Sequence, residues 1–173
     1  MIEKLLKIVL NEGPLIDKKE IASNVYHLTV QSNSVQKLKY IPGQHIRIYV
    51  GGKSKVSGKD NIRTYSIWHI ERDFNKIHIA ACFHTTGPGS AWVESINIGE
   101  KVFFSNPKGK FIVDTSFEKY YFIGDNSTLA HLYEIQRNLK DNKKIKGIIY
   151  SKSLKELFPD IDGSTPFDFY KFP

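Results

Sequence analysis

"RTYSIW", residues 63–68, begins with one of only four arginines in the chain and continues with residues that favour a β-strand. Side chains two residues apart on a strand share a face, so Arg63 and Tyr65 lie on one side and Ser66 on the other. An arginine fork can bind a pyrophosphate, and a tyrosine about 7 Å further along can lie against a flat ring. The stretch predicts a ligand-binding strand, and the alternative is an exposed arginine beside two residues at the edge of a core.

Further strand patterns surround this stretch and extend it to "RTYSIWHI". Apolar residues alternate with polar ones in "HIRIYV" (45–50), and similar strands are predicted for "KIHIAACFH" (76–84), "EKVFFSN" (100–106) and "GKFIVD" (109–114). This spacing, with a single short helix pattern among the strands, predicts an all-β antiparallel barrel over residues 15–115. The preceding "MIEKLLKIVL" predicts an amphipathic N-terminal helix over residues 1–14.

Residues 116–173 show a different pattern. "KYYFIGD" (119–125) and "KIKGIIYS" (144–151) are apolar runs typical of buried parallel strands, and "NSTLAHLYEIQRNLK" (126–140) between them has the apolar stripe of a helix, with Asn126 or Ser127 as its cap. "PFDFYKF" (166–172) predicts a last strand. The order strand, helix, strand indicates a small α/β unit with a parallel sheet, which stops early.

Composition narrows the function classes. The net charge of +7 comes almost entirely from lysine, and four scattered arginines do not make the base-reading surface of a nucleic-acid-binding protein, so an anionic small ligand is the better match. One cysteine, Cys82, excludes an intrachain disulfide and a cysteine-rich metal site, and indicates the cytoplasm. No apolar run approaches about 20 residues, so no membrane span is predicted.

A second candidate segment is "HTTGPGSAWVESI" (84–96). A strand ends at His84, Gly87 and Gly89 form a tight turn, and Ser90 is the predicted N-cap of a helix. Glycines allow backbone N–H groups to approach an anion, and a helix N-terminus favours negative charge. The alternative is an ordinary strand-to-helix turn with a structural histidine. No second histidine lies at ligand spacing from His84, so no metal is predicted.

A third candidate segment is "FIGDNSTLAHL" (122–132), a buried strand followed by a helix start rich in hydroxyls. Ligands of parallel α/β sheets bind at the carboxyl ends of strands, which makes Asp125, Ser127 and Thr128 candidate ligand contacts. The segment lacks the Gly-x-Gly-x-x-Gly fingerprint of dinucleotide-binding domains, and the alternative is a structural turn.

Together, and in this order, the three segments and "NPKGKF" (106–111) resemble the siderophore-interacting proteins, a branch of the ferredoxin-reductase-like flavoenzymes. The resemblance covers about residues 16–150. It implies a six-stranded Greek-key barrel that binds FAD, followed by a domain for NADH or NADPH, which is shortened in this chain.

The resemblance also implies roles for individual residues. Arg63 would pair with the FAD pyrophosphate, Tyr65 would pack along the ribityl chain and the isoalloxazine edge, and Ser66 would lie near the reactive N5 side of the ring. Nicotinamide-side contacts would come from Asp125, Ser127 and Thr128, and no catalytic residue is assigned. The other FAD-binding positions implied are His84, Gly87, Gly89, Ser90 and Trp92.

Three functions follow as hypotheses. The first is a flavin-dependent oxidoreductase that passes electrons from NAD(P)H to an iron(III) chelate such as a ferric siderophore. The second is a flavin-binding electron-transfer module without its own NAD(P)H site, which the short second domain favours. The third is a non-catalytic barrel that serves interaction only. The open edge of a shortened sheet also makes a homodimer an expectation.

Overall fold

The computed structural model describes residues 10–51, 61–83, 86–139 and 141–172. Two sheets are present among them, one antiparallel with seven strands and one parallel with three. None of the helices formed by these residues is long and apolar enough to cross a membrane.

The antiparallel sheet has the strand order β4-β3-β7-β1-β2-β6-β5. Its long first strand pairs with β7 at its beginning and with β2 over the rest of its length. The strands are β1 (Asn11–Ala22), β2 (Val25–Gln31), β3 (His45–Tyr49), β4 (Ile62–Ser66), β5 (His69–Glu71), β6 (Lys76–Cys82) and β7 (Lys101–Phe104).

The predicted strand "RTYSIWHI" is broken in two, and the break closes the barrel. β4 pairs with β3 at one end of the sheet, and β5 pairs with β6 at the other. At the break, Ile67 N donates to Gln44 O (3.2 Å) and Trp68 N donates to His78 O (2.9 Å). The two ends of the sheet therefore belong to one stretch of chain, and the sheet curves back on itself. This division gives seven strands where the resemblance implied six.

Apolar side chains from every part of the sheet fill the barrel. Along each strand, every second side chain points into the barrel, as the alternation of apolar and polar residues predicts. The largest completely buried members of this core are Leu15, Leu28, Ile46, Ile48, Ile67, Ile77, Ile79 and Phe104. A short helix, α1 (Pro88–Ser95), follows β6 and packs Val93 against this core.

The parallel sheet has the order β10-β9-β8, and a helix connects β8 to β9 along the chain. Phe122, Ile149 and Phe167 are buried in a second core, which also contains Val25 and Trp68 of the barrel. The second core therefore joins the parallel sheet to the barrel. The elements are β8 (Lys119–Asp125), α2 (Leu129–Arg137), β9 (Lys144–Ser151) and β10 (Asp168–Lys171).

Two sequence predictions about secondary structure are corrected. The helix over residues 1–14 cannot extend to its predicted end, because residues 11–14 form the start of β1 and pair with β7; residues 1–9 lie outside the described part of the chain. The strand predicted over 109–114 is wrong, since no described strand pairs with these residues and the nearest ladder contact is the single bridge between His45 and Lys108, just before them. Both patterns are apolar enough for the predicted element, but residues 11–14 pair as a strand and residues 109–114 pair with no described strand.

Candidate functional site

The first two candidate segments meet at Gly89. A Cβ atom on Gly89 would lie 3.1 Å from Cγ of Arg63 and 3.2 Å from Oη of Tyr65. These distances are shorter than an ordinary van der Waals contact. Only a residue without a side chain therefore lets the first turn of α1 come this close to Arg63 and Tyr65. Residues 24 or more positions apart in the sequence thus meet on one surface, next to the barrel core against which Tyr65 packs.

The helix that supplies this contact starts earlier than predicted. Gly87 is the N-cap and Pro88 is the first helical residue, so Ser90 lies inside the first turn and is not the cap. Proline suits that position because its fixed φ matches the helix and its missing N–H has no partner to lose. The backbone N–H groups of the first turn consequently come from Gly89 and its neighbours, next to Arg63.

Aromatic packing fixes the tyrosine of β4. The rings of Tyr65 and Trp92 are 5.8 Å apart, and both pack against the barrel core. Burial raises the pKa of Tyr65, with Arg63 acting in the opposite direction. The phenol therefore stays protonated and can donate a hydrogen bond. On the same strand, Arg63 Nη1 donates to the carbonyl of Ile62 (2.8 Å), which orients the guanidinium.

Ser66 lies on the other side of the strand, as alternation predicts. Its Oγ is 3.5 Å from Nδ1 of His131 in the first turn of α2, and the His131 ring stacks on Phe111 with ring centres 4.9 Å apart. Burial lowers the pKa of His131, and His45 lowers it further. A neutral His131 therefore lies beside Ser66, a contact that the sequence reasoning did not foresee. His84 lies outside the described residues.

The three candidate residues of the nicotinamide side form a turn. Asp125 Oδ1 accepts from both N (3.0 Å) and Oγ (2.7 Å) of Ser127, and Thr128 Oγ1 bonds to the backbone of Asp125. Neither Asn126 nor Ser127 caps α2, because the N-cap is Thr128, which makes no side-chain cap bond. The hydroxyls thus hold the turn together at the end of β8.

A cavity of about 620 Å³ lies beside this turn, at the carboxyl ends of β8 and β9. Phe83 and Asn24 of the barrel form one wall, so the cavity lies between the two sheets. Burial raises the pKa of neighbouring Cys82 to about 12, which keeps it a thiol. Sequence reasoning missed most of the lining, which consists of Asn24, Phe83, Asp125, Asn126, Tyr150, Ser151, Lys152, Glu156 and Phe172.

A buried ionic cluster joins the barrel to the parallel unit. Arg137 of α2 donates to the carboxylates of Glu134 and Asp160 and to the backbone carbonyl of Trp68. Trp68 Nε1 also donates to Asp160 (2.8 Å), and Tyr40 donates to Glu134 (2.9 Å). The only sequence sign of this cluster is Glu134 three residues before Arg137 on one helix. The described residues contain no group of three or more His, Cys, Asp or Glu side chains placed to hold a metal ion.

FAD can be tested against these residues. A diphosphate needs a cation and backbone N–H groups at close approach, and the contact of Gly89 with Arg63 supplies both. A flat ring needs an aromatic surface beside them, and Tyr65 with Trp92 supplies it. The surface therefore fits the group that the resemblance implied.

Curated proteins similar to this chain are reductases. The F subunit of the Na⁺-translocating NADH-quinone reductase of Shewanella denitrificans is 28% identical over 126 residues, which are 64% of this chain and 31% of that protein. NADH-cytochrome b5 reductase 1 of Scheffersomyces stipitis is 28% identical over 145 residues, 80% of this chain and 49% of that protein. The chain thus spans less than half the length of these relatives.

Solved structures share the fold. The siderophore-interacting protein of Aeromonas hydrophila superposes with a TM-score of 0.76 at 15% identity, over 95% of this chain and 68% of that one. Phthalate dioxygenase reductase gives a TM-score of 0.76 at 13% identity, over 95% of this chain and 52% of that one. The sequence matches the oxidoreductase FAD-binding domain over residues 12–112, more than half of its length. The chain therefore belongs to the oxidoreductase FAD-binding domain family.

Proposed function

We propose that the protein is an FAD-dependent oxidoreductase of the ferric-siderophore reductase type, which passes electrons from NADH or NADPH to an iron(III) chelate. The observation that carries this proposal is the contact of Gly89 with Arg63 and Tyr65. It joins a cation, a helix N-terminus and an aromatic ring on one small surface. Bound flavin would supply the conversion of a two-electron donation into single-electron steps, so one NAD(P)H reduces two iron(III) centres.

The phosphate end of FAD is assigned to Arg63 and the first turn of α1. A guanidinium can bind a diphosphate through charge-assisted hydrogen bonds, and the turn containing Gly87, Gly89 and Ser90 adds the positive end of a helix dipole. Arg63 is held by Ile62 O, so its alkyl chain remains against Gly89. This part of the site binds and orients but does not react.

The ring end is assigned to Tyr65, Trp92 and Ser66. Tyr65 keeps its proton, because burial raises its pKa, and can donate to the flavin while its ring packs beside Trp92. Ser66 is next to neutral His131, whose Nδ1 can accept a hydrogen bond from the serine hydroxyl and so orient it. His84 retains its assignment to the pocket wall on the resemblance alone.

The nicotinamide end is assigned to the cavity at the carboxyl ends of β8 and β9. Its volume of about 620 Å³ is within the usual range for small-molecule sites, and its position obeys the rule for parallel α/β sheets. The turn formed by Asp125, Ser127 and Thr128 shapes one wall, and Lys152 offers a positive charge to a phosphate. The positive net charge of +7 also suits anionic ferric siderophores.

A second function is favoured by one observation. Among the described residues the parallel sheet has three strands, whereas nicotinamide cofactors need contacts that position the ring as well as bind it. A flavin-binding electron-transfer module, reduced by a partner protein, would need the barrel site but not the cavity. The two functions therefore predict the same flavin affinity and different responses to NAD(P)H.

The assignment of Arg63 is tested by measuring FAD affinity. Arg63→Ala should weaken FAD binding by about 10- to 100-fold, the effect of losing a hydrogen bond to a charged group. Arg47→Ala is the matched control, because Arg47 is an exposed arginine on the neighbouring strand β3. Equal affinities in the two variants would contradict the role of Arg63.

Reduction by the nicotinamide is tested separately. The FAD-loaded protein is mixed with NADH or NADPH without oxygen, and loss of the flavin absorption band is followed. Bleaching, and its reversal by a ferric trihydroxamate, supports the reductase. A flavin band that persists with both nucleotides but bleaches with dithionite supports the electron-transfer module. Failure to bind FAD would contradict both functions and leave the non-catalytic barrel.

A further inference from the structure

Two histidines and a threonine lie together on the barrel sheet, and none of them belongs to the surface assigned to FAD. His27 and Thr29 are on β2, and His78 is on the paired strand β6, directly opposite Thr29. Leu28, between the first two, is buried in the barrel core, so the three polar side chains point to the other face of the sheet. Trp68 borders them, with its ring edge-on to the His27 ring and the centres 5.0 Å apart.

Three electron-pair donor atoms of this cluster converge. Nε2 of His27 and Nδ1 of His78 are 2.9 Å apart, and Oγ1 of Thr29 is 3.5 Å from the first and 3.4 Å from the second. A tetrahedral metal ion with bonds of about 2.0–2.1 Å holds its ligand atoms about 3.3 Å from one another. The triangle of donor atoms therefore has nearly the size of one face of a tetrahedral coordination shell.

A carboxylate lies on the far side of the His78 ring. Nε2 of His78, the nitrogen outside the triangle, is 3.5 Å from Oε2 of Glu71. Histidines that bind metals almost always direct their second nitrogen to such an acceptor, which fixes the tautomer. A proton on Nε2 leaves Nδ1 with the lone pair that a metal ion needs. Lys76 holds this carboxylate in place, because its Nζ is 3.1 Å from Oε2.

Protonation and charge also suit a metal ion. Burial lowers the pKa of His27 and lowers the pKa of His78 to about 4, so both imidazoles are neutral at about pH 7. Asp17 and Lys19 of the neighbouring strand β1 face the cluster with opposite charges. Imidazole nitrogen binds Zn²⁺ and Cu²⁺ well, whereas Ca²⁺ and Mg²⁺ prefer oxygen ligands. The cluster is therefore selective for a transition metal.

We propose that Nε2 of His27, Nδ1 of His78 and Oγ1 of Thr29 bind one divalent first-row transition-metal ion, such as Zn²⁺, with water as a further ligand. The site has two imidazole ligands and a neutral hydroxyl, so it binds more weakly than a structural zinc site with four ligands. The ion therefore exchanges with the solution, and the chain folds without it. When bound, the ion stabilises the fold by an amount that grows with its concentration.

A hydrogen bond between the two imidazoles is the competing interpretation. The separation of 2.9 Å between His27 and His78 also suits an N–H donor and a ring-nitrogen acceptor. Both interpretations place a proton on Nε2 of His78, so the tautomer does not separate them. They differ in their response to metal ions, because a pair that serves only to satisfy two buried nitrogens gains nothing from Zn²⁺.

The proposal is tested on the full chain without a polyhistidine tag, freed of metal by a chelator and of flavin by dialysis. Zn²⁺ is titrated into it at neutral pH and followed by calorimetry. One ion per chain should bind, with a Kd of about 1 to 50 µM. A parallel titration with Cu²⁺, which quenches indole fluorescence, should quench the chain with the same stoichiometry, because Trp68 lies beside His27.

Variants locate the ion. His27→Gln and His78→Gln should each weaken Zn²⁺ binding by about 100-fold or more, since each removes one of two imidazole ligands. Glu71→Gln should weaken it about 10- to 100-fold, the usual effect of losing the partner of a metal-binding histidine. His69→Gln is the matched control. His69 lies opposite His78 on the same face, but its Nδ1 faces Glu134 (3.8 Å), so Zn²⁺ binding should be unchanged.

Two results would overturn the proposal. One is a wild-type chain that shows neither saturable heat nor quenching up to about 500 µM metal, which would leave the hydrogen-bonded pair of histidines. The other is a His27→Gln variant that folds, as checked by circular dichroism, and binds Zn²⁺ like the wild type. The wild-type titration needs no substitution, so the proposal stays testable if a variant does not fold. Neither titration needs flavin, so failure here leaves the proposed reductase function untouched.

Discussion

The barrel and the parallel sheet differ in how much of their apolar surface is buried. In the barrel, Leu15, Leu28 and Ile48 are completely buried, and the sheet closes through the break after Ser66. In the parallel sheet, one face is covered by α2 and the barrel, while Tyr121 and Ile123 on the other face are more than 70% exposed. The described strands of the barrel bury their inner face on their own, whereas the parallel sheet buries its covered face partly against residues of the barrel.

This difference separates the residues assigned to FAD from the residues that attach the parallel unit to the barrel. The residues assigned to FAD lie on a closed scaffold, where β4 and α1 are fixed by the core beneath them. The parallel unit is attached through a core shared with the barrel and through the ionic cluster around Arg137. Changes at the attachment should therefore affect stability most, and changes at the FAD surface should affect affinity with little effect on folding.

The largest effect is expected at the attachment. Arg137→Ala leaves the carboxylates of Glu134 and Asp160, both buried, without their cation. Removing one partner of a buried pair typically costs about 3 to 5 kcal/mol, so the free energy of unfolding in urea should fall by that amount. Lys101→Ala is the control, because Lys101 forms an exposed pair with Glu12 (3.4 Å) and should change stability by about 0.5 kcal/mol or less. Similar losses in the two variants would show that the cluster does not secure the parallel unit.

A smaller loss of folding stability is expected when the pH is lowered. His78 of β6 is packed against His27, Glu71 and His69, and burial followed by His27 lowers its pKa to about 4. The unfolded chain binds a proton near pH 6.5 and the folded chain does not, so stability is present above that pH and is lost as the pH falls towards 4. Between about pH 7.5 and pH 4.5 this residue should contribute a loss of about 2 kcal/mol.

His78→Gln should remove much of that dependence on pH. The measurement is urea unfolding at several pH values, comparing the slope of stability against pH in the variant and in the wild type. Burial also lowers the pKa of His27, so some slope should remain. An unchanged slope would show that the protonation of His78 is not coupled to folding.

The smallest of these three effects is expected at Gly89 of the FAD surface. Gly89→Val places branched atoms where a Cβ alone would lie 3.1 Å from Arg63 and 3.2 Å from Tyr65. Both side chains must then move, and FAD binding should weaken about tenfold, or about 1.4 kcal/mol. Ala91→Val, an exposed change on the same helix, controls for helix propensity. If the two variants bind FAD equally, the close approach at Gly89 has no part in binding.

Local patterns predicted most of the elements but not their partners. The alternation in "RTYSIWHI" correctly indicates extended chain, yet the stretch divides at Ile67 because its backbone partner changes from Gln44 to His78. "GKFIVD" alternates equally well and forms no strand, because no neighbouring strand pairs with it. Pairing depends on residues far away in the sequence, which alternation does not report.

The candidate site shows the same limit. Arg63 and Tyr65 were predicted to share a face, and their contact with Gly89 required the fold. Ser90 was predicted as the helix cap from its hydroxyl, although Pro88 is the stronger signal for the first helical residue. The hydrogen bond from Arg137 to the carbonyl of Trp68 joins residues 69 positions apart, and no sequence pattern in either segment predicts it.

The most direct test of the account is a titration of the purified wild-type chain with FAD, followed by flavin fluorescence and absorbance. Binding of one FAD per chain is predicted, with quenching of the flavin by Tyr65 and Trp92, whose rings lie 5.8 Å apart at the proposed ring site. A chain that is isolated without colour and shows no saturable change on addition of FAD would contradict it.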